Sequence, residues 1–251
     1  MADDLPDPLE PSARLTGLDL SACDWSERDL ADLVLTDCTL TDVQLSAAML
    51  EGARFAGCRF VRCRFAHVDL RGAVFEDCAL TDPDSHGGAE FAFCRLDEAR
   101  FSKCDLSFAD LDRSSLYGVA FAACNLRGAR FHRADFSRAF GGKVVRAQAS
   151  FAGSHLELCD LSEARLPGCD LNRTSLREAD LTGADLTGAD LREADLFQAL
   201  TAGAKLADAD LRGAQASGLD LTQLATFRGL KITAAQQSVL LHALGVDIHA
   251  A

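Results

Sequence analysis

Large apolar residues recur at every fifth position along almost the whole chain. From Leu15 to Leu80 the series is Leu, Phe or Trp at all 14 positions, Trp25, Phe55, Phe60, Phe65 and Phe75 among them. The frame then slips, because 11 residues separate Leu80 from Phe91. It resumes to Leu221 with Leu or Phe at 23 of 27 positions, the exceptions being Gly141, Arg146, Thr201 and Ala216. A step of five scatters side chains around an α-helix and alternates them across a flat strand, so neither regular element buries the series. The position two before each centre is mostly Ala, Cys, Ser, Thr or Val, small enough to point inward as well. The pattern predicts an all-β coil with four sides, one pentad per side. Four pentads return the chain to the same face, and successive coils pair as short parallel rungs about 4.8 Å apart.

The corners of such a coil need backbone that turns sharply. Of the 19 glycines, 13 stand two after a centre, including Gly52, Gly72, Gly128, Gly183 and Gly188, where a type II turn requires a positive φ. All ten cysteines stand two before a centre, which makes them small buried hydrophobes. Cys38, Cys58 and Cys78 then stack on one face, within reach of disulfide geometry, yet reduced thiols are expected in a reducing compartment. Arg28, Leu18 and Leu33 are oversized for the inward small-residue position, so the first coils are expected to be distorted or to start after Leu15.

Two breaks and a different C-terminal segment complete the organisation. "TDPDSHGG", Thr81, Asp82, Pro83, Asp84, Ser85, His86, Gly87 and Gly88, sits at the frame slip. "SRAFGGKVVRAQAS", residues 137–150, spans the two lost centres between Phe136 and Phe151. Proline, glycine and short polar residues make both plausible projecting loops. In the second, Ser137, Arg138, Phe140, Gly141, Gly142, Lys143, Val144, Val145 and Arg146 are the candidate contacts. "ITAAQQSVLLHALGVDI", residues 232–248, reads as a helix with Thr233 as cap, Gln236 three later and Gly245 as stop. Leu240, Leu241 and Leu244 lie on one side and Ala235, Val239 and Ala243 nearly opposite. One face can close the last coil and leave the other for a twofold partner; Leu240, Leu241, Leu244, Val246 and Ile248 are the candidate dimer residues. The domains are thus a tail over 1–14, a solenoid over 15–230 and a C-terminal helix over 231–251.

Composition narrows the function. No apolar run is long enough to span a membrane, and the start, "MADDLPDPLEPSAR", is acidic and proline-rich rather than a secretory leader, so a cytoplasmic protein with a disordered tail is expected. A net charge of −13 argues against direct nucleic-acid binding. No CxxC or Cys/His spacing offers a metal site. "GGKVV" fails as a phosphate loop, since Ser137 replaces its first glycine and Val144 its hydroxyl residue. The six histidines have no nucleophile partner. No enzyme activity, cofactor or small-molecule substrate is expected.

"ADLTG", "ADLRE" and "CDLSF" resemble the motif of the pentapeptide repeat proteins, whose fold is a right-handed quadrilateral parallel β-helix. The segment "FEDCALTDPDSHGGAEFAFCRLDEARFSKCDLSFADLDRSSLYGVAF", residues 75–121, is similar to the matching part of the Qnr-type proteins. That resemblance implies a shorter loop and a longer loop projecting from the coil. It also implies a C-terminal helix joining two rods end to end into a homodimer. It further implies binding to a type II topoisomerase, DNA gyrase or topoisomerase IV, and protection of that enzyme from a quinolone or a natural-product poison.

Charge tempers the idea that the rod copies DNA. About ten coils at about 4.8 Å give a dimer near 100 Å long. A doubled charge of −13 is then roughly one net negative per 4 Å, against one per about 1.7 Å in DNA. The charge is also uneven: −8 over residues 1–80, +1 over 81–150 and −6 over 151–251. Loop-directed docking with partial mimicry is therefore the expected mechanism, the acidic sides steering approach to a basic surface. A general interaction scaffold is the alternative, since fold alone does not specify a partner.

Overall fold

The computed structural model describes residues 9–85, 87–140 and 144–246, without the side chains of 140, 144–146 and 243. Its elements are short: β1 (Arg14–Thr16), β2 (Val34–Thr36), β3 (Thr39–Thr41), β4 (Arg54–Ala56), β5 (Arg59–Val61), β6 (Val74–Glu76), β7 (Arg100–Ser102) and β8 (Val119–Ala122). There follow β9 (Ser137–Phe140), β10 (Val144–Ala147), β11 (Ala149–Ser150) and one helix, α1 (Ala234–Ala243). The predicted four-sided solenoid is what these form. On the first face Leu15 pairs with Leu35, Leu35 with Phe55 and Phe55 with Phe75, all in parallel register. The ladder continues through Phe101 and Phe121, then from Ala120 through Ser150 to Asp170, Asp190, Asp210 and Lys231. The other three faces carry matching rungs, Leu40 opposite Phe60 on the second, Arg64 opposite Glu90 on the third and Asp69 opposite Arg95 on the fourth.

The core is a set of internal stacks. Phe55, Phe75, Phe101, Phe121 and Phe151 lie ring on ring, with centroids 4.6, 4.6, 5.0 and 5.2 Å apart, and Phe65 stacks on Phe91 at 4.5 Å. Offset stacking of buried rings adds to the area they remove from water. Nine of the ten cysteines are buried and Cys23 is half-buried; none is in a disulfide. They are more than small hydrophobes. The Cys38, Cys58 and Cys78 thiols each donate to a carbonyl of the coil before, at Leu15, Leu35 and Phe55, 3.7, 3.5 and 3.4 Å away. Ser114 and Ser154 occupy the same inward position and donate to Phe91 O and Phe121 O at 2.6 and 3.0 Å.

Two further rules shape each pentad. The residue two after the centre has a φ in the left-handed region at nearly every corner, from Gly17 at 68° to Gly218 at 94°, and non-glycines such as Asp32, His67, Phe93 and Glu193 adopt it too. Each non-glycine there costs about 1 kcal/mol of steric strain, which the parallel ladder offsets. The aspartate before many centres turns its carboxylate onto the amide two residues on: Thr182 N–H donates to Asp180 at 2.9 Å, Ser162 N–H to Asp160 at 3.0 Å and Phe197 N–H to Asp195 at 2.9 Å. That is an Asx motif at the corner, and it accounts for the repeated "ADL".

The ends depart from expectation. Leu9 is buried, and the Ser12 N–H donates to Ala31 O at 2.8 Å. The ordered coil therefore starts before Leu15, and the tail set at 1–14 is shorter; residues 1–8 lie outside the described residues. Leu33 is fully buried and Arg28 only half-buried, so neither delays the first coil. Lys231 still pairs with Asp210, one residue out of the 20-residue step, so the solenoid runs past 230. The shift comes from the 3₁₀ turn Leu221–Gln223, capped by Asp220. α1 has the expected Thr233–Gln236 capping box and ends at Ala243, with Leu244 as its C-cap and Gly245 following at φ 75°, so it is shorter than 232–248. Among the described residues no helix is long and apolar enough to cross a membrane.

Candidate partner-binding surface

The two insertions leave the coil at diagonally opposite corners. The first follows Leu80 on the second face and returns at Phe91 on the third, lengthening the step between rungs from 20 to 26 residues. The second follows Phe136 on the fourth face and returns at Ala149 on the first, where Ala149 pairs with Val119.

The first loop is tightly folded. Thr81 and Gly88 form an antiparallel bridge, and the Asp82 N–H donates to Gly87 O at 2.7 Å. Asp82 is 2% exposed, and its side chain accepts from Asp84 N–H at 3.0 Å and Ser85 Oγ at 2.6 Å. Those bonds, Ser85 first, hold its carboxyl below the usual range. Arg62 on the coil reaches Asp82 at 3.5 Å and Asp42 at 2.6 Å. Pro83, Asp84, Ser85 and Gly87 are exposed and Gly88 half-buried; His86 lies outside the described residues. A Cβ at Gly88 would collide with the backbone of Phe108 and Ala109, so only glycine fits there.

The second insertion is a β-hairpin. β9 and β10 pair antiparallel, Phe140 opposite Val144 and Ser137 opposite Ala147; Gly141, Gly142 and Lys143 lie outside the described residues. So do the side chains of Phe140, Val144, Val145 and Arg146, leaving those candidate contacts as expectations. The hairpin lies over the fourth face. Arg138 meets Glu98 at 3.5 Å, and its guanidinium stands 5.8 Å over the Tyr117 ring. Tyr117 OH lies 3.4 Å from Gln148 Oε1. Beneath is a cleft of about 570 Å³ lined by Ser137, Arg138, Arg71, Arg95, Asp97 and Glu98 among others. Its floor is an ion-pair chain in which Arg71 bonds Glu51 and Asp69 at 2.6 and 2.8 Å and Arg95 bonds Asp69 at 3.1 Å.

The C-terminal helix closes the rod. The Gln236 side-chain amide donates to Leu211 O at 2.6 Å, which also accepts from Ala214 N–H, and to the edge carbonyl Ala214 O at 2.8 Å. Leu240 is buried within the monomer and lines the apolar groove beside the helix together with Leu241 and Leu244. Leu241 is half-buried, Leu244, Val246 and Val239 are exposed, and Ile248 lies outside the described residues. An apolar groove of about 220 Å³ lined by Phe227, Leu230, Ile232, Leu241 and Leu244 stays open beside the helix.

Sequence reasoning located both loops but missed their anchors. Arg62 stands 20 residues before Asp82, a spacing that counting by coils could have exposed; Glu98, Tyr117 and Gln148 left no such signal. Among the described residues no cluster of His, Cys, Asp and Glu could hold a metal.

Repeat, corners and closing helix define a pentapeptide-repeat solenoid. The chain belongs to the pentapeptide repeat family, whose repeats are matched at residues 38–77, 87–121, 114–140, 154–192 and 189–223. Among solved structures it is similar to QnrB1, a plasmid-mediated fluoroquinolone resistance protein. A trypsin-treated QnrB1 variant is 26% identical with a TM-score of 0.71, covering 88% of this chain and 100% of that one. Full-length QnrB1 is 25% identical with a TM-score of 0.64, covering 87% and 100%. No curated protein matches the chain.

Proposed function

We propose that this protein binds a bacterial type II topoisomerase, DNA gyrase or topoisomerase IV, and protects it from a poison, a quinolone or a natural product. The observation that carries the reading is the likeness to QnrB1 along the whole of that chain, in a rod interrupted at two corners by a compact loop and a hairpin. Both insertions are braced from the coil, by Arg62 and by Glu98, so they meet a partner with little ordering cost. The acidic remainder steers the rod to a basic surface. Docking dislodges the poison or disfavours the drug-trapped cleavage complex. Two copies join through the open groove around Leu241 and Leu244, with Val246 beside it, giving an end-to-end homodimer. No cofactor, small-molecule substrate or membrane enters this reading, and the protein works in the cytoplasm.

The test is a supercoiling assay with gyrase, a fixed dose of quinolone and titrated protein. Restored supercoiling is expected. Absence of rescue, together with no binding to gyrase or topoisomerase IV, overturns the proposal.

A further inference from the structure

The two insertions flank one side of the rod. The first loop stands at the far edge of the third face, and the hairpin lies over the fourth. The corner between those faces carries a column of residues that the core does not explain. His67 and Phe93 stack with centroids 5.2 Å apart and planes at 18°. Arg113 stands 5.5 Å over Phe93 from the next coil, and Arg133 follows. All four have φ between 55° and 62°.

Phe93 is 46% exposed at a left-handed position, φ 60°, that suits glycine and disfavours a bulky side chain. Burial does not account for a phenyl ring there. On the diagonally opposite corner the matching positions are Asp77, Lys103 and Ala123, with no aromatic. An exposed ring set between an imidazole and a guanidinium, in the one segment of the chain that is not acidic, is the composition of an interface anchor.

We infer that the His67–Phe93–Arg113 corner is a third docking element between the loops, Phe93 entering an apolar pocket on the topoisomerase whose rim carries carboxylates. Charge complementarity selects that chemistry: Arg113 and Arg133 add positive charge to this ridge, whereas the rest of the rod suits a basic partner surface. The inference rests on the proposed function and adds which side of the rod faces the enzyme.

The experiment measures the affinity of intact gyrase, with its DNA, for immobilised protein. Phe93→Gly is the informative variant, because glycine relaxes the left-handed corner and the fold should keep or raise its melting temperature. Binding about 10-fold weaker or more is expected for it, and Lys103→Gly on the opposite corner should leave affinity unchanged. Undiminished binding by Phe93→Gly, or the loss falling on Lys103→Gly, overturns the inference while the proposed function stands. Failure of the unsubstituted protein to bind removes the function and this inference together. Should Phe93→Gly melt early, Phe93→Asn, which also tolerates this backbone, is read by the same criteria. A labelled short DNA duplex offered alone should not bind; binding that Phe93→Gly abolishes would make the ridge a nucleic-acid contact and overturn the protein pocket.

Discussion

Arg138 in the hairpin and Glu98 on the coil meet at 3.5 Å, with their side chains 55% and 66% exposed. A pair that open to water contributes at most about 1 kcal/mol, so its effect is on where the hairpin lies rather than on whether the rod folds. Glu98→Ala should leave the melting temperature nearly unchanged and speed hydrogen exchange of the amides in 137–147, while those in 100–122 keep their protection. Unchanged hairpin protection would show that the cross-strand bonds alone seat it.

Gly88→Ala tests the first loop. The added methyl meets the backbone of Phe108 and Ala109, which cannot rotate away as a side-chain tip can. A loss of about 1–3 kcal/mol in urea unfolding is expected from such overpacking, with faster proteolysis at residues 81–88.

Removing a ring from the internal stack should cost more. Phe75 is fully buried with Phe55 and Phe101 on either side, each at 4.6 Å. Phe75→Ala is expected to lower stability by about 3–5 kcal/mol. Because each coil touches only its neighbours, a second unfolding transition in the calorimetric trace would mark the weakened interface.

Thiol reactivity should sort by burial. Desolvation raises Cys63 to about 11, and Cys94 and Cys169 to about 12, leaving almost no thiolate at neutral pH. Cys23, half-buried, should be the first alkylated in the native protein, and the others only on unfolding. Fast labelling of Cys94 would contradict the packed interior.

Acid should loosen the rod. Side-chain hydrogen bonds from Arg212 hold Asp210 at about 2, below its ordinary 3.8. Arg192 lowers Asp190, Ser21 lowers Asp19 and Thr222 lowers Asp220 in the same direction. A depressed carboxyl contributes stability that is complete above its unfolded value and lost as pH falls through its folded one. Asp112, raised by burial, opposes this in part. The urea midpoint should therefore decline between about pH 4 and pH 2; a midpoint rising over that window would refute the assignment.

Much of this was readable along the chain because a pentad is a local unit. Whether Leu35 faces in depends on four neighbours, so the inward series, the corners and the cysteine positions followed from spacing. The closing helix was visible through Thr233, Gln236 and Gly245. Helix periodicity shows that the face carrying Leu240 is apolar, but its burial within the monomer depends on the core it packs against. Gln236 was read as the capping-box partner of Thr233, while its larger task, bonding Leu211 O and Ala214 O, joins residues that no short-range pattern connects.

By itself the amino-acid order determined the square coil, the residues that fill it and the two places where the chain must leave it. Only the tertiary structure decided that the second insertion is a hairpin folded over the fourth face, that Asp82 is drawn under Arg62, and that His67, Phe93 and Arg113 share a corner. The reason is geometric. Column neighbours in a solenoid are set by how many residues each insertion adds, and the direction an insertion takes depends on partners such as Glu98 and Tyr117 from other coils.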